Sequence, residues 1–140
     1  MSWPVNAFDS DVLIYAVEAG HPLGRRVLSL FEPGAPSPVG LGSLLLLPEV
    51  LSKSLRRSQA SEVAALTRLL AQLELRPLDA PTAELAASLG AAYGLRAADA
   101  VHLATAVNAG ADCFVTNNQR DFPKSIEEIE IVYPEDLDAP

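Results

Sequence analysis

The chain reads as an α/β protein: a mostly parallel sheet covered by helices on both faces. Two observations predict this. Short apolar runs of strand length alternate with longer segments whose apolar residues recur at helical spacing, the pattern of parallel strands joined by crossover helices. In the run 113–116, moreover, Cys113, Phe114 and Val115 follow one another with no polar alternation, as in a strand buried on both faces.

Taken in order, residues 3–8 form a first strand with Val5, Ala7 and Phe8 apolar, ending at Asp9. Helix follows over 11–19, with Val12, Leu13, Tyr15 and Ala16 at helical spacing, an N-cap at Asp9, Ser10 or Asp11, and Gly20 as C-cap. Pro22 opens a second helix through about Phe31. Three prolines and a glycine make 32–38 a loop. Residues 39–41 are a weakly marked strand, and a helix runs from Ser43 to Arg57, with Pro48 predicting a kink or restart that leaves Glu49 in the next first turn. Residues 60–73 are an amphipathic helix, 74–78 a strand, and 81–93 a helix stopped by Gly94. A helix over 97–109 carries Asp99 in its first turn and ends at Gly110. The strand 113–116 leads into a polar turn, 117–121, and a last strand covers 129–133.

At 140 residues the whole chain, 1–140, is expected to form one domain with a real core. Hydrophobic residues at 49% and charged residues at 20% exclude a disordered chain. The one cysteine, Cys113, excludes an internal disulfide and a thiolate metal cage, so a reducing, cytoplasmic setting is expected. No signal peptide is visible, and the longest apolar run, around 44–47, is too short to span a bilayer. A net charge of −8 argues against nucleic acid as a partner. Its distribution weakens the objection. From 121 to 140 seven acids face one lysine, giving that end −6 and leaving −2 for 1–120. Bases cluster at Arg25 and Arg26 and again at Lys53, Arg56 and Arg57, either as solvated helix faces or as phosphate contacts.

The candidate chemistry lies in acids. Asp9, Glu49, Asp99 and the pair Asn118/Asp121 each sit where a predicted strand ends or a helix begins. In an open parallel sheet the carboxyl ends of the strands converge on one crevice. Carboxylates crowded there repel unless protonated or offset by cations, and oxygen ligands suit Mg²⁺ or Mn²⁺. Singly, Glu49 and Asp99 are better explained as acids stabilising a helix start than as ligands. Together with Asp9 and the turn after Thr116 they predict a metal-assisted reaction on a phosphate ester. His102 lies one turn beyond Asp99 between apolar Val101 and Leu103, which favours packing or support over ligation. Arg96 and Arg120 flank two of the acidic segments, as phosphate contacts or as salt-bridge partners of the acids.

The segments Phe8-Asp-Ser-Asp-Val-Leu-Ile-Tyr-Ala16, Leu47-Pro-Glu-Val-Leu51, Arg96-Ala-Ala-Asp-Ala-Val-His-Leu-Ala-Thr-Ala106 and Phe114-Val-Thr-Asn-Asn-Gln-Arg-Asp-Phe122 resemble, in order, the four motifs of PIN-domain proteins. The likeness is greatest to VapC-type toxins of bacterial toxin–antitoxin pairs. Each motif is short; their order and spacing, from about Val5 to Phe122, carry the match. The resemblance implies a three-layer α/β/α fold and a Mg²⁺- or Mn²⁺-dependent endoribonuclease. By position Asp9 matches the first acid, Glu49 the second and Asp99 the third, with Asp9 and Asp99 as the direct metal ligands. The fourth acid falls in the turn, where Asn118 stands in place of an aspartate and Asp121 is the nearest carboxylate. Thr116 matches the hydroxyl residue that orients the first acid. Asp11 stands where the family usually has Asn, adding a negative charge. An RNA substrate, a cognate antitoxin protein and a homodimer are the implied partners; the leucine-rich helices 43–55 and 60–73 offer them apolar surface, although core packing explains most of it.

Two other readings use the same residues. Asp9-Ser-Asp11-Val also resembles the nucleophile motif of haloacid-dehalogenase-like phosphatases, with Asp9 as nucleophile. That family needs a lysine and a further acidic pair after its threonine motif, and here the only later lysine is Lys124. The other is a PIN fold whose site is too eroded to cut and which serves as an interaction module.

Overall fold

The computed structural model describes residues 3–140. These residues form five strands and six α-helices: β1 (Asn6–Phe8), α1 (Ser10–Val17), α2 (Pro22–Leu28), β2 (Gly40–Ser43), α3 (Leu46–Arg56), α4 (Ala60–Leu70), β3 (Leu73–Arg76), α5 (Ala80–Tyr93), α6 (Ala97–Asn108), β4 (Cys113–Val115) and β5 (Glu130–Val132). All strands are parallel, in the order β3-β2-β1-β4-β5. The order runs one way from β1 to β3 and the other way from β4 to β5. The reversal therefore falls between β1 and β4, where an open parallel sheet leaves a crevice at its carboxyl edge.

Strand parity builds the layers. Successive side chains point to opposite faces, so Ala7 and Phe114 join one core while Phe8 and Val115 join the other. The first core is closed by α5 and α6 through Ala86, Leu89, Leu103 and Ala104, with Phe122 and Ile126 beside them. The second is closed by α1 to α4 through Val12, Leu13, Val27, Leu46, Val50 and Leu66. Helices on both faces make the fold the expected three-layer α/β/α sandwich. Phe8, Phe114 and Phe122 are fully buried, each contributing roughly 1.5–3 kcal/mol of transfer free energy.

Several boundaries differ from the sequence expectation, and those around β2 and α2 have clear physical reasons. The helix predicted from Ser43 starts at Leu46, and Ser43 instead ends β2, its hydroxyl accepting the Leu45 N–H at 3.1 Å. Pro48 therefore causes no kink. It lies in the first turn, whose N–H groups have no intrahelical partner, so the missing donor costs nothing there. The second helix becomes a 3₁₀ turn at Ser29–Phe31 rather than continuing as α. The strand at Gly40–Ser43 is weak by propensity because Gly40 packs against β1: a Cβ there would lie 2.3 Å from the Asn6 carbonyl oxygen.

Candidate active site

Asp9 is the first residue beyond β1 and the N-cap of α1; its Oδ1 accepts the Ser10 N–H at 2.8 Å. Thr116 is the first residue beyond β4, the strand paired to β1 across the switch point. Its hydroxyl donates to Asp9 Oδ2 at 2.7 Å and accepts the Asn118 N–H at 3.1 Å. Asp9 is 4% exposed and Thr116 0%, so an ionisable group is held almost out of water by oriented donors. The Asn118 side chain turns away from this relay. Its amide donates to Asp121 Oδ2 at 2.9 Å and its carbonyl accepts the Asp121 N–H at 3.2 Å, which shapes the turn and carries Asp121 into the site.

Three helices aim their N-termini, the positive ends of their dipoles, at the same edge. α1 brings Asp11, α3 brings Glu49 and α6 brings Asp99, each in a first turn. Asp11 Oδ2 accepts the Asn117 N–H at 3.1 Å, tying α1 to the turn after β4. Glu49 Oε1 meets His102 Nε2 at 2.6 Å, tying α3 to α6.

The electrostatics are those of crowded carboxylates. Burial pushes the Asp9 carboxyl above its usual range, against the lowering pull of the Thr116 bond. Burial and then the charges of Asp9 and Asp121 raise Asp99. Burial and the charge of Asp9 raise Asp11 to about 7. Glu49 goes the other way: its bond to His102 lowers it, against partial burial. For His102 burial acts to lower the pKa, but the bond to Glu49 and the charges of Asp9, Glu49 and Asp99 outweigh it, leaving the pKa raised.

A divalent cation suits this donor set. The acids are hard oxygen donors, burial and then neighbouring negative charge raise Asp9, Asp11 and Asp99, and Asp11 Oδ1 is buried with no hydrogen-bond partner among the described residues. No three His, Cys, Asp or Glu side chains among those residues converge into a ready-made cage.

The structure thus brings Asp9, Asp11, Glu49, Asp99, Thr116, Asn118 and Asp121 to one edge. Arg96, the N-cap of α6, and Arg120, in the turn after β4, are exposed at the same edge. Neither forms an ion pair among the described residues, so the salt-bridge alternative for them is not what forms. Sequence reasoning missed the Glu49–His102 pair. The helical spacing of Asp99 and His102 was a visible signal for the histidine, but nothing local pointed to a partner 53 residues away.

A parallel α/β sandwich that gathers acids at its switch point belongs to the open-sheet α/β class whose ligands sit at the carboxyl edge of the strands. Comparison with known proteins narrows that class. The model of the PIN domain family matches residues 7–125, and the chain belongs to that family. Among solved structures, the chain is similar to a toxin–antitoxin complex from Klebsiella pneumoniae, with 23% identity over 93% of this chain and 97% of that one, and a TM-score of 0.72. It is also similar to VapBC2 from Rickettsia felis bound to a DNA fragment from its promoter, with 16% identity over 92% and 98% of the two chains and a TM-score of 0.71. No curated protein matches the chain in sequence.

Proposed function

We propose that this PIN-domain protein is a Mg²⁺- or Mn²⁺-dependent endoribonuclease, the toxin of a toxin–antitoxin pair acting in the cytoplasm. One observation carries the catalytic part: Asp9, buried at the switch point, is oriented by Thr116 at 2.7 Å while the charges of Glu49 and Asp99 act on it or answer to it. Asp9 and Asp99 would hold the cation, using the Asp9 lone pairs that Ser10 and Thr116 leave free. Bound there, the ion supplies Lewis acidity, lowering the pKa of a water and offsetting charge on the phosphate. Thr116 and Ser10 hold Asp9 in one rotamer. Asp121, carried in by Asn118, and Glu49 complete the acidic wall, directly or through water. Arg96 and Arg120, exposed and without an ion-pair partner among the described residues, would contact the phosphates flanking the scissile bond.

Partners follow the same reading. A groove of about 500 Å³ runs between α1, α2 and α4, with Val17, Leu28, Phe31 and Leu69 apolar and Arg25 and Arg68 at its sides. Its size and chemistry support a bound segment of a cognate antitoxin. Exposed Leu44, Leu47 and Leu55 on and beside α3 support a homodimer face. Among the described residues no helix is long and apolar enough to cross a membrane.

The phosphatase alternative needs Asp9 as an attacking nucleophile with a nearby lysine. The only lysine after Thr116, Lys124, is instead paired to Asp136 at 2.7 Å. The test of the nuclease reading is cleavage of a structured RNA in Mg²⁺ or Mn²⁺ by the wild type and by Asp9→Asn. The variant is expected to lose at least about 100-fold in rate while remaining folded. Equal cleavage by both sinks the mechanism, and no cleavage by the wild type in either metal leaves the interaction module.

A further inference from the structure

We propose that His102 is a positioning residue: its Nε2–H holds the Glu49 carboxylate against the Asp9–Asp99 wall, so that α6 sets what α3 contributes to the site. The inference rests on the nuclease reading for its meaning, though not for its geometry. Glu49 sits on the exposed side of the first turn of α3, with about a third of its side chain accessible. A glutamate there is free to extend into water, and fixing its rotors costs side-chain entropy. What chiefly turns it inward is the 2.6 Å contact with His102, with the Ser10 side chain a lesser partner.

His102 itself is 2% exposed, on a helix whose neighbouring residues Ala100, Val101, Leu103 and Ala104 are all buried. Its Nδ1 is buried with no hydrogen-bond partner among the described residues. Buried polar atoms are ordinarily paired, and an unpaired one is destabilising. A leucine would fill this place without that penalty, so packing does not account for the histidine. Its one satisfied atom, Nε2, does. Asp99 and His102 stand three apart on α6 and share a face. One face of α6 thus delivers its own carboxylate and anchors a second from α3.

The experiment uses His102→Leu, His102→Gln, Glu49→Ala and the Glu49→Ala/His102→Leu double variant. Leucine removes the donor and fills the space with an apolar group; glutamine places an amide N–H near the position of Nε2. We expect His102→Leu to lower kcat/KM for RNA by about 10- to 100-fold, with a Tm equal to or above that of the wild type. Glutamine should recover most of the loss, and the double variant should be no worse than Glu49→Ala. Independently of cleavage, ¹⁵N-resolved NMR of the wild type should show a protected His102 Nε2–H that disappears in Glu49→Ala. A drop in Tm with unchanged kcat/KM for His102→Leu, or losses that multiply in the double variant, overturns the proposal. So does an Nε2–H insensitive to Glu49. A wild type that cuts no RNA defeats the nuclease reading instead, and the NMR result then decides the His102–Glu49 linkage alone.

Discussion

Asparagine in place of Asp11 removes the carboxyl whose ionisation the fold opposes. Burial and then the charge of Asp9, with a smaller contribution from Asp99, push its pKa from 3.8 to about 7. Between those values the folded protein keeps a proton that the unfolded chain has released. Asp11's contribution to stability is therefore fully present below about pH 4 and is lost as the pH rises to about 7. At about 1.4 kcal/mol per pH unit, the move corresponds to on the order of 4 kcal/mol. Asn keeps a carbonyl acceptor for the Asn117 N–H, bonded to Asp11 at 3.1 Å in the wild type, and offers neutral donors to the neighbouring acids. The assay is urea unfolding of wild type and Asp11→Asn at intervals from pH 4 to pH 8, in EDTA. The variant's advantage should grow across that window towards about 4 kcal/mol, and millimolar Mg²⁺ should narrow it at pH 8 by supplying the missing counter-charge. A difference between the two proteins that stays flat from pH 4 to pH 8 refutes the argument.

Thr116→Val keeps the shape of a fully buried side chain but strips the donor to Asp9 and the acceptor of the Asn118 N–H. It should cost roughly 1–3 kcal/mol in unfolding free energy and lower RNA cleavage by about 10- to 100-fold; undiminished cleavage would mean that Asp9 needs no such restraint. Gly24→Ala probes packing remote from the acids, since its Cβ would lie 1.9 Å from the Tyr15 carbonyl oxygen. A loss of at least about 1–3 kcal/mol is expected from forcing α2 off α1, and an unmoved unfolding midpoint would contradict that contact. Chelation by EDTA should abolish cleavage, with recovery in Mg²⁺ or Mn²⁺, while far-UV circular dichroism stays constant because both cores are closed by apolar side chains. Persistent cleavage in EDTA would remove the metal from the mechanism.

Much of the site was legible because its acids occupy local positions with local signatures. Asp9 follows a short apolar strand, and Asp99 opens a helix. What resisted reading depends on partners distant in sequence. Asp11 looked like an alternative cap, yet it is half-buried and bonded to the N–H of Asn117, 106 residues away. Glu49 looked like an acid at a helix start, and its inward turn depends on His102. Pro48 suggested a break because a run of leucines disguised where β2 ends; only pairing of Ser43 with Arg76 on β3 places that end.

The amino-acid sequence by itself determined the alternation of strands and helices, the parallel sheet, and the set of residues able to serve the chemistry, since periodicity, caps and turn residues act over a few positions. Only the tertiary structure decided the strand order β3-β2-β1-β4-β5, the division into two cores, and which acids lose their water. Those outcomes rest on contacts between residues far apart in sequence, such as Thr116 with Asp9, 107 positions away. Desolvation and charge repulsion exist only once such segments are packed together, and they raise the pKa values of carboxylates that are ordinary acids in the separate segments.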